Sequence, residues 1–416
     1  MKDGVDKSFA AEAEAAEAAL RGYFPPTPVQ RNDHLSRKFG ADIWLKREDL
    51  SPVRSYKLRG ALNAMRKLPG QELFVCASAG NHAQGVAYAC RHFGKRGVIF
   101  MPVTTPQQKI DKTAMFGAGH IEVRLTGDYF DDTLRAAQSF CTEAGGHFLS
   151  PFDDLDVIEG QASVGVELMR DLPHVPDVLI VPVGGGGLSA GLTKYLAETS
   201  PDTQIYYVEP AGGTSLGASL RSGTLTTLND VDTFVDGAAV ARIGERNYGV
   251  LKGVDAERVL AAPEDRICTT ILEMLNIEGV VLEPAGALAI DVLTDLREEI
   301  AEKTVVCISS GGNFDFERLP EVKERAQRYA GLKKYLVLRL PQRPGALRDF
   351  LGMLGPDDDV ARFEYLKKSA RNFGSILIGI ETKEREAFDV LFGKMDAAGF
   401  QFTDITDNDT MRDLVI

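Results

Sequence analysis

Apolar residues along the middle of the chain recur in two alternating rhythms. Short apolar runs read as buried strands: LFVCAS (73–78), GVIFMP (97–102), HIEVRLTG (120–127), GHFLSPF, VLIVPV (178–183) and QIYYVEP (204–210). Between them lie segments with helical spacing. In HAQGVAYACRHFG (82–94), Ala83, Val86, Ala87 and Cys90 fall at i, i+3, i+4 and i+7. QQKIDKTAMFG (107–117), residues 131–145, the long segment from 157 to about 172 and the segment from 188 follow suit. Strands separated by helices of about 10–15 residues predict parallel sheets built from right-handed βαβ units. Two such runs predict two α/β lobes with a cleft between them.

From about residue 331 the rhythm changes. KKYLVLRLP, PGALRDFLGML, VARFEYLKKS, FGSILIGIET, REAFDVLFGKMDAAG and FQFTDIT read as β, α, β, β, α, β, a ferredoxin-like order. The polar stretch FERLPEVKERAQRYAGLKK (316–334) is the expected connection. The predicted organisation is a body over 1–330, with a small lobe at about 49–150 within it, and a second domain over 331–416.

Composition narrows the possible partners. The chain has 416 residues, 44% hydrophobic and 26% charged, an ordinary globular balance. Lys and Arg number 47 against 60 Asp and Glu, a net charge of −13. Residues 331–416 hold 13 basic and 14 acidic residues, so nearly all of this acidity lies in the body. A nucleic-acid binder carries a basic footprint, so nucleic acid is not an expected partner. The Ala/Glu-rich start is unlike a signal peptide, and no run approaches ~18 uncharged apolar residues. A soluble cytoplasmic protein is therefore expected. Of the five cysteines, Cys76 and Cys307 lie in apolar runs and read as buried thiols in a reducing compartment.

Three strand-to-helix turns carry candidate chemistry. VLIVPVGGGGLSAGL runs an apolar strand into Gly184, Gly185, Gly186 and Gly187, and Leu188 follows in the opening helix. Such a turn points backbone N–H groups at an anion, and the helix N-terminus adds partial positive charge, a phosphate cradle. A tight packing turn would look the same. Gly185, Gly187 and Ala190, with Glu209 about 20 residues on, also satisfy a dinucleotide fingerprint, so a nicotinamide-dependent oxidoreductase stays open at this point. In SYKLRGA, Lys57 is a candidate nucleophile if Arg54 and Arg59 or burial depress its pKa, although most lysines are solvated. In CASAGNHAQGVA, Ser78, Asn81 and the N–H groups of a helix start suit a carboxylate, or a plain N-cap.

Phosphate cradle, amine and carboxylate loop together are the parts of a pyridoxal-phosphate site for an amino acid. SYKLRGA, SAGNHAQG, GGGGL and SSGGN jointly resemble the fold-type II (tryptophan synthase β-like) pyridoxal-phosphate enzymes, and within them the threonine dehydratases, over essentially the whole chain. The resemblance implies that Lys57 holds the cofactor through its amine and that Asn81 meets the cofactor 3-hydroxyl. It implies that Gly184 to Leu188 take the phosphate, that Ser310 faces the pyridine nitrogen and that Glu283 of EPAGAL lies near the ring. Ser78, Asn81 and His82 would take the substrate carboxylate. The implied reaction is β-elimination of L-threonine to 2-oxobutanoate and ammonia, the first committed step of isoleucine biosynthesis. A serine-preferring or degradative dehydratase is the alternative. An amino-acid sensor without catalysis is a further one.

There are three departures from relatives of that fold. Tyr56 stands where Phe is common before the lysine. Ala79 stands where racemases place a second serine, which favours elimination. Gly213 and Ser215 stand where some relatives place acids for a divalent cation, so no such metal is expected. The tail, with RPGAL at 343–347, resembles an ACT-like regulatory domain. That resemblance implies isoleucine as inhibitor, valine as its opponent, and a homotetramer; a domain that serves mainly oligomerisation is the alternative.

Overall fold

The computed structural model describes residues 8–366 and 373–408. These form two compact units, one ending at Asp315 and the other beginning at Phe316. The first unit contains β1 (Val29–Arg31), β2 (Asp42–Arg47), β3 (Leu73–Ala77), β4 (Arg96–Met101), β5 (Ile121–Leu125), β6 (His147–Phe148), β7 (Val178–Pro182), β8 (Gln204–Pro210), β9 (Val259–Ala262) and β10 (Thr304–Ser309). They make a six-stranded sheet in the order β1-β2-β10-β7-β8-β9 and a four-stranded sheet in the order β5-β4-β3-β6. Every pairing in both sheets is parallel except the one between β1 and β2. Parallel strands are covered on both faces by their crossover helices. The fully buried runs at β7 (Val178–Pro182) and β4 (Gly97–Met101) follow from that.

The predicted two lobes are these two sheets, each over its own core. Leu179, Val181, Leu188, Leu192 and Ile308 anchor the large lobe. Leu58, Leu62, Phe74, Val86 and Ile99 anchor the small one. GHFLSPF contributes only His147 and Phe148 as strand, because the segment then turns away toward the other lobe.

Close helix approach depends on missing side chains. The helices Lys57–Arg66 and Leu155–Asp171 cross at Gly60 and Gly160. A Cβ on Gly160 would lie 2.7 Å from Arg59 O and 2.8 Å from Gly60 Cα, so backbone would have to move. Gly160→Ala is accordingly expected to destabilise the unit by about 1–3 kcal/mol, the range for overpacking, read as a lower midpoint in denaturant unfolding.

The second unit contains β11 (Lys333–Pro341), β12 (Asp359–Leu366), β13 (Phe373–Glu381) and β14 (Gln401–Asp404), in the order β12-β13-β11-β14 and antiparallel throughout. Helices Ala346–Leu351 and Ala387–Ala397 give the predicted β-α-β-β-α-β order. Phe350, Phe388, Leu391 and Met395 pack on Leu336, Leu338, Ile376 and Ile378. The stretch expected as a plain connection contains a helix, Leu319–Tyr329, which buries Val322 and Ala326 within this unit. No described helix is long and apolar enough to cross a membrane. All five cysteines are buried and free of disulfides.

Candidate active site

The carboxyl ends of β3, β7 and β10 run into Ser78–His82, Gly184–Gly187 and Ser310–Asn313 respectively. Loops at the carboxyl ends of parallel strands are where such sheets bind ligands. The loop before Lys57 is stitched to the β10 end. Tyr56 N donates to Ser310 O (3.2 Å), Gly312 N to Arg54 O (2.9 Å) and Asn313 Nδ2 to Val53 O (2.8 Å). Asn313 Nδ2 also donates to Asn81 Oδ1 (2.7 Å), and Asn81 Nδ2 donates to Glu283 Oε1 (2.6 Å). Glu283 N donates to Gly311 O (3.2 Å). Lys57, Asn81, Glu283 and Ser310, far apart in sequence, therefore belong to one constellation.

Lys57 opens its helix, half-buried, with Nζ donating to Pro151 O (2.9 Å). Desolvation depresses its ammonium to about 8, and Glu283 resists part of that shift. Arg59 does not supply the depressing field suggested by the sequence, because its guanidinium is neutralised by Glu48 and Glu167. Burial raises the Glu283 carboxyl to about 7, with the negative charge of Asp236 adding to the effect.

The glycine loop is an open cradle. Gly186 adopts φ +90°, a conformation that side chains disfavour. Among the described residues, no acceptor meets the N–H groups of Gly184, Gly185 or Gly186. Gly187 and Leu188 open the helix Gly187–Thr199, where N–H groups have no intrahelical partner. Five donors beside a helix N-terminus suit a phosphate.

Two supports of this cradle escaped the motif reading. Asn247 Nδ2 donates to Gly185 O (2.7 Å) and to Phe152 O (3.1 Å). The Phe152 ring packs where a Cβ on Gly185 would be, 2.1 Å from Cδ1. Asp153 accepts from Glu245 N (3.1 Å) and Arg246 N (2.9 Å), fixing the segment that runs between Lys57 and the glycines. The run SPFDD offered a faint signal, but a proline carbonyl and a phenyl ring carry no spacing rule.

The carboxylate loop is half in place as read. Ser78 Oγ accepts from Gly80 N (3.2 Å), and the helix Asn81–Phe93 starts there without a side-chain cap. His82 lies in the first turn of that helix. Its ring is buried, bonds through Nε2 to Leu149 O (2.9 Å), and is held neutral by burial, at about 3. Ser310 is buried and its Oγ donates to Ala285 O (3.1 Å).

Glu209 argues against the dinucleotide reading. Its two carboxylate oxygens accept from Leu216 N (2.6 Å) and Gly217 N (2.9 Å), so it caps the following helix rather than facing a ribose. No group of three or more His, Cys, Asp or Glu side chains among the described residues could hold a metal ion.

Comparison with known proteins agrees with this geometry. The family described as pyridoxal-phosphate dependent enzyme matches residues 20–311, and the C-terminal regulatory domain of threonine dehydratase matches residues 324–415. The biosynthetic L-threonine dehydratase IlvA of Bacillus subtilis is 46% identical over 394 residues, covering 94% of this chain and 93% of its own length. That of Corynebacterium glutamicum is 43% identical over 404 residues, covering 95% and 92%. The processed form of threonine deaminase isoform 2 from Solanum lycopersicum superposes with a TM-score of 0.72 at 35% identity, covering 77% of this chain and 88% of that one. The chain belongs to the fold-type II pyridoxal-phosphate dependent enzymes, in the threonine dehydratase family that carries a C-terminal regulatory domain.

Proposed function

We propose that the protein dehydrates and deaminates L-threonine to 2-oxobutanoate and ammonia, at a site where Lys57 is the reacting amine. The observation that carries this reading is the meeting of one desolvated lysine amine with a cradle of free N–H groups, through the segment Pro151–Asp153. These residues fit pyridoxal phosphate: the cradle takes its phosphate and Lys57 its aldehyde. When bound, the cofactor supplies a carbonyl that condenses with amines and a ring that withdraws electrons from an attached α-carbon.

The protein's own groups do the rest. At neutral pH a usable fraction of Lys57 is neutral amine, able to attack a carbonyl and then to take the substrate α-proton as general base. Asn81, held between Glu283 and Asn313, presents an oriented amide for the cofactor 3-hydroxyl. Ser78, Asn81 and the N–H groups at the helix start, that of His82 included, take the substrate carboxylate and fix the α-carbon over Lys57. Ser310 would give the ring nitrogen an uncharged partner that does not hold a proton there by charge, which would favour prompt loss of the β-hydroxyl. Ala79 offers no acid or base on the opposite face, which favours elimination over racemisation. Overall, water leaves across Cα–Cβ and water re-enters at the α-carbon as ammonia departs.

The biosynthetic names of the relatives support the committed step toward isoleucine. The regulatory-domain match supports effector binding by the second unit. The proposal extends this to isoleucine as inhibitor, valine opposing it, and a cytoplasmic tetramer as the acting form. The test is 2-oxo acid release from threonine and from serine, each with and without isoleucine. Faster release from threonine, slowed by isoleucine, is expected. Release from serine alone would replace the substrate assignment, and no release from either would end it.

A further inference from the structure

The helix Gln107–Gly117 of the small lobe carries two lysines one turn apart, Lys109 and Lys112. Lys109 Nζ donates to Asp236 Oδ2, an ion pair that joins the small lobe to the large one across 127 residues of chain. Asp236 follows the turn Thr233–Val235 and begins a short wall, Asp236–Gly237–Ala238. On one side this wall backs the glycine loop, since a Cβ on Gly184 would lie 3.0 Å from Ala238 Cα. On the other it faces the acid of the site. A Cβ on Gly237 would lie 2.9 Å from Ala285 Cβ and 3.8 Å from Glu283 Oε1.

Groups from every neighbouring element act on Glu283. Asn81 donates a hydrogen bond to it, Tyr56 and Lys57 sense its charge from the lysine loop, and Lys109, Lys112 and Asp236 reach it from across the mouth. Asp236 favours the proton on Glu283 and Lys109 opposes it, so the two members of the ion pair pull in opposite directions. Their side chains are 26% and 42% exposed, a setting in which an ion pair adds little to global stability and can open readily. A contact between lobes that is weak energetically yet touches both the cradle and the acid suits control rather than stability.

We propose that the Lys109–Asp236 ion pair is a latch between the lobes, positioning the 236–238 wall between the glycine loop and Glu283. The inference rests on the functional reading above, but its test is separable. Both members are positioning residues, and removing either breaks the same contact. Glu283 orients Asn81 and acts on Lys57 through its charge, so its ionisation gives the pH profile of kcat/KM a limb of its own. Lys109→Met leaves Asp236 unopposed beside Glu283 and moves that limb to higher pH by about half a unit to one unit. Asp236→Asn removes the negative charge, so the same limb moves to lower pH by a similar amount. The double variant returns the limb to near its original position, and Lys109→Arg leaves it in place. In the cofactor-free protein, amide hydrogen exchange over 107–117 and 236–238 quickens several-fold in both single variants. Shifts of the limb in the same direction in both single variants, or no shift, would overturn the proposal, as would unchanged exchange. Exchange needs no turnover. Failure of the unaltered protein to act on threonine would therefore count against the functional reading, and the latch would then be judged on exchange.

Discussion

Lys57→Ala should reduce 2-oxobutanoate formation from threonine by at least about 10²–10⁴-fold, the range for losing a positioned general base, with loss of the covalent cofactor anchor adding to it. Among the described residues, the two lysines nearest the site do not replace it. Lys109 is committed to Asp236, and Lys112, although depressed by burial and by Arg54, lies on a different helix. Borohydride treatment of the unaltered protein should fix pyridoxal phosphate on the peptide containing Lys57 and nowhere else, as read by mass spectrometry. In the cofactor-free protein, modification of Lys57 by an amine-reactive probe should rise through about pH 8, the value to which desolvation depresses it, rather than through the 10.5 of a free lysine. Label on a different lysine, or turnover that survives Lys57→Ala, would remove Lys57 from the mechanism. Survival is also what a purely sensing role for the protein requires, so one variant separates enzyme from sensor.

Arg59→Ala should destabilise the first unit by about 3–5 kcal/mol, the cost of breaking a buried ion pair on one side. The guanidinium is wholly buried and spans two carboxylates. Nε donates to Glu48 Oε2 (2.8 Å) and Nη2 to Glu48 Oε1 (2.8 Å), while Nη1 donates to Glu167 Oε1 (2.8 Å) and Nη2 to Glu167 Oε2 (2.7 Å). Ser163 and Thr27 take further donations from the same group, and Lys46 donates to Glu167 from the other side. Alanine would leave Glu167 with Lys46 and Arg21, and the interior Glu48 with no cation nearer than Lys46 at 4.0 Å. The expected readout is a fall of roughly 5–8 °C in the thermal transition of that unit. Arg59→Lys should recover little of it, because an ammonium cannot span both carboxylates.

The same cluster gives an acid dependence with a definite sign. Burial pushes the Glu167 carboxyl up, but Arg59 and Lys46 outweigh it and hold it at about 2, below its ordinary 4.5. A carboxylate depressed by folding stabilises the fold above its unfolded pKa, and that contribution is lost as pH falls from about 4.5 toward 2. In Arg59→Ala this acid loss should shrink, because without the guanidinium burial moves the folded carboxyl back up toward its unfolded value. Stability that is flat across this window in the unaltered protein would contradict the assignment.

How much of the site was legible depends on how local each part is. GGGGL, SAGNH and SYKLRGA each act through one turn of chain, where backbone geometry and residue type together set what can be presented. Glu209 shows the limit of such reading. It sits at the right interval for a ribose acid, yet its oxygens close on Leu216 and Gly217. Arg59 was legible as a cation but not as one already neutralised, since Glu48 and Glu167 lie 11 and 108 residues away. His82 was legible at a helix start, while its ring turned inward to Leu149.

By itself the sequence determined the alternation of strand and helix, the ferredoxin-like order of the tail, the three chemical turns and the family they resemble. Those properties follow from periodic burial and from short backbone motifs, which a linear chain displays directly. Only the tertiary structure decided that Phe152 and Asn247 brace the glycine loop and that Asn81, Glu283 and Asn313 form one hydrogen-bonded chain. It alone decided that Lys109 meets Asp236 across the lobes. The reason is physical: hydrogen bonds and charges act over a few ångströms of space, and folding brings together residues whose separation along the chain says nothing of that distance.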